Sequence, residues 1–267
     1  MSFQVAYDVL LGRWGVTVDQ LEVDGTHVNA CGAADAPPVV LLAGHGATSP
    51  VWFSVAPRLA ERHRVYALDL PGDAGRSTAT PPRTVDDLMN WLAGVLDGLR
   101  LERPLLAGHS YGAWTALTYA IRNPARVGKL ALIDPTNCFL GLKTSYVLRA
   151  FSAFFRLFFV RNESFLRWET QGIPIDPDWL HLAGLATLEP TTRPVRPRRP
   201  AATDLREFDT LVFVADRSKS HDPDELARRA VAAGATVIRL EQATHHSLPA
   251  AHGEELSDEL LKFSGQR

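Results

Sequence analysis

Cysteine and long apolar runs are scarce in this chain. Cys31 and Cys138 are the only cysteines, so neither a disulfide framework nor a multi-cysteine metal site can be assembled from them, and two free thiols suit a reducing compartment. No uninterrupted apolar stretch reaches the ~18 residues expected of a membrane-spanning helix. Met1 to Leu11 lacks the basic segment, apolar run and small-residue cleavage site of a secretory leader. The expected address is the cytoplasm, without a membrane span. An excess of one charge is missing too: 28 basic and 30 acidic residues leave a formal net charge of −2, which implies no nucleic-acid partner. What is present is apolar content, 46% against 22% charged, too much for general disorder and enough for one large core.

That content is distributed as short runs ending in Gly, Asp or Pro: Val39 to Ala43, Val65 to Leu70, Leu105 to Ala107, Leu130 to Ile133, Leu211 to Ala215 and Thr236 to Leu240. Each reads as a strand. They are continuous rather than alternating, as strands covered on both faces require, and helix-like segments separate most of them, so the sheet is expected to be mainly parallel. From Thr84 to Arg100 the apolar residues Leu88, Trp91, Leu92, Val95, Leu96 and Leu99 share one helical face behind a capping threonine. Asp222, Pro223 and Glu225 form a cap, first-turn proline and third-position acid for another helix, which Gly234 ends; Glu254 to Phe263 is expected to be the last. Phe3 to Val9 and Val16 to Val28 alternate in part, and are expected to form an antiparallel edge that begins the sheet.

Between Asp134 and Leu211 the strand rhythm stops for more than 70 residues, too long for a simple connection. This stretch is read as an inserted cap. Leu148, Phe151, Phe155, Phe158 and Phe159 recur in it at helical spacing, and Thr191 to Ala201 is dominated by Pro and Arg, the composition of a solvated, extended strap.

Chemistry enters at Leu105-Leu106-Ala107-Gly108-His109-Ser110-Tyr111-Gly112-Ala113, a Gly-x-Ser-x-Gly directly after an expected strand and before a helix-compatible run to Asn123. A serine lifted to the tip of a strand-to-helix bend needs strained backbone, and side chains two residues to either side would collide with it, which favours glycine at 108 and 112. The following helix would aim its first amides at the serine, where negative charge develops in acyl transfer. Gly44-His45-Gly46 follows another strand, and no Gly-Lys-Ser/Thr accompanies it, so it is not a phosphate loop.

With Gly44-His45-Gly46 after the first parallel strand, Asp69-Leu70-Pro71-Gly72-Asp73-Ala74-Gly75-Arg76-Ser77 next and the serine pentapeptide after that, nearly the whole chain resembles the α/β-hydrolase family. The resemblance implies an α/β fold, a mostly parallel sheet flanked by helices, with the core in residues 1–134 and 206–267 and a helical cap inserted as 135–205. It implies backbone amides of Ala47 and Tyr111 as an oxyanion hole, a structural role for the Asp69 turn, and a catalytic histidine in the loop after the last strand. There Glu241-Gln242-Ala243-Thr244-His245-His246 offers two candidates, and the small residues before it select His245. Neighbouring histidines cannot easily ligate one ion, so no metal is expected at the pair.

The acid departs from the family's commonest pattern, because counting three residues beyond Ala215 reaches Ser218. Asp216, Asp222 and Asp134 are the substitutes. Asp216 sits almost on the strand, Asp222 has a helix to cap, and Asp134 ends the Leu130 to Ile133 strand, where some members, haloalkane dehalogenases among them, carry their acid. Asp134 is preferred and Asp222 is the runner-up. The expectation is acyl transfer to water through an acyl-enzyme, with Ser110 as nucleophile, His245 as base, Asp134 as its orienting acid, a small and apolar ester as substrate, and no cofactor. A thioesterase, a carbon–carbon bond hydrolase, a secondary-metabolite tailoring enzyme or a ligand-binding protein with little turnover would use the same body.

Overall fold

The protein is described by a computed structural model covering residues 1–155, 163–200 and 205–265, with the side chains of 150–163 outside that description. Eight strands form one sheet: β1 (Asp19–Val23), β2 (Thr26–Cys31), β3 (Pro38–Leu42), β4 (Arg64–Leu68), β5 (Leu105–His109), β6 (Lys129–Ile133), β7 (Thr210–Ala215) and β8 (Thr236–Leu240). Their order is β1-β2-β4-β3-β5-β6-β7-β8. The pairs β1–β2 and β2–β4 are antiparallel, and every other neighbour is parallel. Around the sheet lie α1 (Phe3–Gly12), α2 (Ala56–Leu59), α3 (Val85–Gly98), α4 (Tyr111–Arg122), α5 (Thr144–Phe155), α6 (Glu163–Thr170), α7 (Pro177–Ala186), α8 (Pro223–Ala232), α9 (Leu248–Ala251) and α10 (Gly253–Gly265).

The continuous apolar runs are explained by two cores. Val39, Leu41, Ala107, Ile133 and Phe213 pack on one face of the sheet with residues of α1, α2 and α10. Their sequence neighbours Val40, Leu42, Leu106, Leu132 and Val212 pack on the other with α3, α4 and α8. Since successive strand residues point to opposite faces, a sheet covered on both sides leaves no position for a polar residue.

One expected edge strand is a helix. Phe3, Ala6, Tyr7, Leu10 and Leu11 are the buried residues of α1, and Ser2 Oγ caps the Val5 amide at 3.4 Å. Spacings of three and four override the partial alternation of Phe3 to Val9. The antiparallel edge expected of Val16 to Val28 does form, as a hairpin of β1 and β2 that turns through Asp24 and Gly25 at φ 48° and 77°, the left-handed pair that a two-residue hairpin turn needs. Thr84 and Asp87 close a reciprocal capping box on α3. Asp69 is spent on structure, accepting from Tyr7 Oη at 2.9 Å, Ser49 N at 2.8 Å, Ser49 Oγ at 2.7 Å and Arg76 N at 2.8 Å.

Between β6 and β7 run α5, α6 and α7, followed by a stretch to residue 200 without regular structure. This strap is tied down by Thr192 N on the Gly72 carbonyl at 2.8 Å, Tyr111 Oη on the Val195 carbonyl at 3.2 Å and Trp114 Nε1 on the Arg198 carbonyl at 3.0 Å. On α5, Leu148 is 64% exposed while Tyr146 is buried, so Leu148 is not on a buried side of the helix. The phenylalanine side chains assigned to the same face, Phe151, Phe155, Phe158 and Phe159, fall outside the described residues. Among the described residues no helix is long and apolar enough to cross a membrane.

Candidate active site

Parallel strands deliver their carboxyl ends to one edge of the sheet, and the residues singled out in the sequence meet there. Ser110 follows β5 at φ 54°, ψ −112°, a region that side chains other than glycine rarely adopt. The flanking glycines permit the bend. A Cβ on Gly108 would stand 2.3 Å from the Gly112 carbonyl group, and one on Gly112 would stand 2.2 Å from the Leu42 oxygen. The Ser110 amide is held by the Ile133 carbonyl of β6 at 3.0 Å, and α4 begins at the next residue. Its hydroxyl is therefore fixed at a helix amino terminus, where the first amides have no partner within the helix.

Asp134 extends β6 by one residue, its amide donating to the Phe213 carbonyl at 2.8 Å, and its own φ is 39°. The loop after β8 brings His245 between the two. His245 Nε2 is 2.9 Å from Ser110 Oγ, and His245 Nδ1 is 2.6 Å from Asp134 Oδ2. Because a carboxylate only accepts, Nδ1 carries the proton and Nε2 offers its lone pair to the serine. Burial pulls the proton affinity of His245 below the ordinary value of 6.5 even though Asp134 pushes it up. For Asp134 burial opposes ionisation, but His221 and His245 outweigh it and hold the carboxyl well below its usual range.

The other aspartates are engaged elsewhere. Asp222 caps α8, its carboxylate accepting from the Glu225 amide at 3.0 Å, and Asp216 accepts from Arg239 Nε at 2.7 Å. Ser218, standing where the commonest pattern has its acid, donates its hydroxyl to Asp134 Oδ2 at 2.9 Å. The departure at Ser218 thus leaves one acid in place rather than none. Of the two expected oxyanion donors, Tyr111 N opens α4 beside Ser110, whereas Ala47 N is engaged by the Gly44 carbonyl at 3.1 Å. A Cβ on Gly44 would lie 3.3 Å from Ser110 Cβ, so the turn passes close to the serine at Gly44.

Three neighbours escaped the sequence reading. Glu169, fully buried on α6, accepts from His245 N, His246 N and Thr244 Oγ1, each at 3.0 Å. Burial resists its ionisation, but the side chain and amide of His246, with His245, overcome that and bring its pKa down to about 2. His109 is a second neighbour, stacked 4.7 Å from His245 with Nε2 on the His245 carbonyl at 2.8 Å, and burial keeps it neutral. The third, Thr136 Oγ1, lies 3.5 Å from Ser110 Oγ. Only the motif position of His109 was visible beforehand, since Glu169 and Thr136 stand in segments with no periodic or motif signal. A shallow groove bounded by His45, Asp73, Tyr111, Arg193 and Val195 runs between His45 and the strap, next in the chain to the serine at Tyr111.

A sheet of this order with a serine on a strained bend at its carboxyl edge defines a class, and the sequence agrees with it. The model of the alpha/beta hydrolase family matches residues 39–259, and the chain belongs to that family. Carboxylesterase YbfK of Bacillus subtilis is 32% identical over 146 residues, 53% of this chain and 49% of that protein. An uncharacterized carboxylesterase of the same organism, nap, is 36% identical over 145 residues, 52% of this chain and 48% of its own. The chain thus spans about half the length of the curated relatives it matches. Among solved structures, naproxen esterase from Bacillus subtilis superposes with a TM-score of 0.87 at 24% identity, covering 98% of this chain and 97% of the other. At that identity the likeness is one of fold.

Proposed function

We propose that the chain is a serine hydrolase that cleaves carboxylic esters of small molecules through an acyl-enzyme. The observation that carries this reading is the unbroken contact from Ser110 Oγ to His245 Nε2 and from His245 Nδ1 to Asp134, at 2.9 and 2.6 Å. Ser110 attacks the ester carbonyl as His245 takes its proton; His245 then returns that proton to the departing alcohol, and water repeats the sequence on the acyl-enzyme. Asp134 keeps the imidazole in the needed tautomer and stabilises it while charged. The tetrahedral oxyanion is received by Tyr111 N–H at the start of α4 and by a second backbone amide from the turn of residues 44–47, which passes close to the serine. Each such donor is worth about 3 kcal/mol.

Residues 135–205 serve as the cap over a core of 1–134 and 206–267. The contact of Glu169 on α6 with the His245 loop supports that division, because it makes the cap part of the catalytic edge. The relatives named carboxylesterases support an ester over a thioester or a carbon–carbon bond. The reading is tested with a fluorophosphonate probe: one adduct is expected, on Ser110, and Ser110→Ala is expected to lose both the adduct and at least ~10⁴-fold of the nitrophenyl-ester hydrolysis. An adduct at another residue, or a folded protein that takes none, overturns it.

A further inference from the structure

Asp134 has more partners than an acid that serves one histidine. Oδ2 accepts from His245 Nδ1 and Ser218 Oγ, and Oδ1 accepts from Ala215 N at 3.0 Å and from His221 Nε2 at 3.0 Å. His221 is 2% exposed, and its other nitrogen, Nδ1, is 2.8 Å from Ser220 Oγ, which in turn is 2.9 Å from Ser218 Oγ. Asp134, Ser218, Ser220 and His221 therefore close a buried ring of four polar contacts.

Proton counting determines the state of that ring. Each contact requires one proton. The carboxylate supplies none, and the two hydroxyls supply one each. A neutral imidazole adds a third, leaving one contact in which two lone pairs face each other out of reach of water, an arrangement that a packed interior penalises. Four protons are present only when both nitrogens of His221 are protonated: Nε2 donates to Asp134, Nδ1 to Ser220, Ser220 to Ser218, and Ser218 to Asp134.

We infer that His221 is a positioning residue for the triad, held as an imidazolium on the far side of Asp134, and that its charge weakens His245 as a base. The inference rests on the proposed roles of Ser110, His245 and Asp134. The His221 and His245 rings are 6.4 Å apart, on opposite sides of one carboxylate. A charge on His221 already compensates Asp134, so a second proton on His245 meets an acid whose field is largely spent. The other ionisable groups around the pair are His109 on β5, Tyr146 on α5, Glu169 on α6, His246 next in the chain to His245, and Lys219 and Asp222 beside His221. Burial keeps His109 and Tyr146 uncharged, and Glu169 is ionised. Among the described residues His221 and His245 are the ionisable groups hydrogen-bonded to Asp134, so His221 is the one that shares the acid with His245, while His246 and Glu169 act on His245 directly. The effect on the reaction is a base that stays free at lower pH and releases its proton more readily to the leaving group.

The test follows the rate of fluorophosphonate labelling of Ser110 against pH, which needs no knowledge of the substrate. His221→Gln keeps an amide donor for Asp134 Oδ1 and removes the charge. Its labelling midpoint is expected to rise by on the order of one pH unit, with a smaller rise in the same direction for Ser220→Ala, which strips Nδ1 of its acceptor. A midpoint that stays in place in a variant with unchanged near-ultraviolet circular dichroism overturns the inference. If neither variant folds, NMR of the imidazole nitrogens in the unaltered protein decides: two ring protons on His221 at neutral pH are expected, and one overturns it. Absence of labelling on Ser110 in the unaltered protein would instead remove the triad reading itself, a result distinct from a labelled serine whose midpoint does not move.

Discussion

At the scale of single residues, the site depends on which aspartate faces His245, and two substitutions separate the candidates. Asp134→Asn leaves the volume unchanged but lets the imidazole take the wrong tautomer, so a loss of about 10³- to 10⁴-fold in kcat is expected. Asp222→Ala removes only the cap of α8 and is expected to cost about 1 kcal/mol of stability with kcat unaltered. Steady-state kinetics beside a denaturant titration distinguishes them, and the reverse pattern would transfer the acid to Asp222. The pH dependence carries a second expectation. Burial outweighs Asp134 in lowering the proton affinity of His245, and the reaction needs that imidazole neutral, so kcat/KM is expected to fall on the acid side with a midpoint below 6.5. A midpoint above that value would contradict the burial of the ring.

At the scale of elements, α6 clamps the loop after β8. Its polar hold is Glu169, whose carboxylate gathers the amides of His245 and His246 and the Thr244 hydroxyl and lies 3.3 Å from the His246 ring. With a folded-state pKa of about 2 against an ordinary 4.5, the carboxylate contributes stability that is complete above pH 4.5 and is lost as pH falls from there toward 2. The full effect is on the order of 3 kcal/mol. Glu169→Gln is expected to be less stable than the parent at neutral pH, and the gap is expected to close across that acid window in urea titrations at a series of pH values. The same clamp predicts that Glu169→Gln lowers kcat more than it alters KM, because it loosens the base and not the groove. A constant stability gap from neutral pH to pH 3 would mean that the carboxylate is not held by these donors.

At the scale of the whole molecule, the sheet is protected unevenly. β3, β5 and β6 lie between two cores, while β1 at the edge is largely exposed. Amide exchange followed by mass spectrometry is expected to be slowest in those three strands and faster by orders of magnitude in β1. Uniform exchange would argue against two cores divided by one sheet. The six parallel strands, the α3 capping box, the Asp222 cap and the serine bend were legible in the chain because each depends on neighbours within a few residues: apolar runs, a capping pair, two glycines around a serine. α1 was misread because ten residues containing both spacings do not decide their own period, and burial against the sheet decided it. His245 and Asp134 were reachable through their positions at strand ends. Glu169, Thr136 and His221 were not, since contacts across 26 to 87 positions of chain, from Thr136 on Ser110 to His221 on Asp134, leave no local pattern. The sequence by itself determined where the backbone bends and which faces are apolar, because those depend on sterics and solvation of adjacent residues. Only the tertiary structure decided which charges share a carboxylate, because that depends on distances set by the sheet.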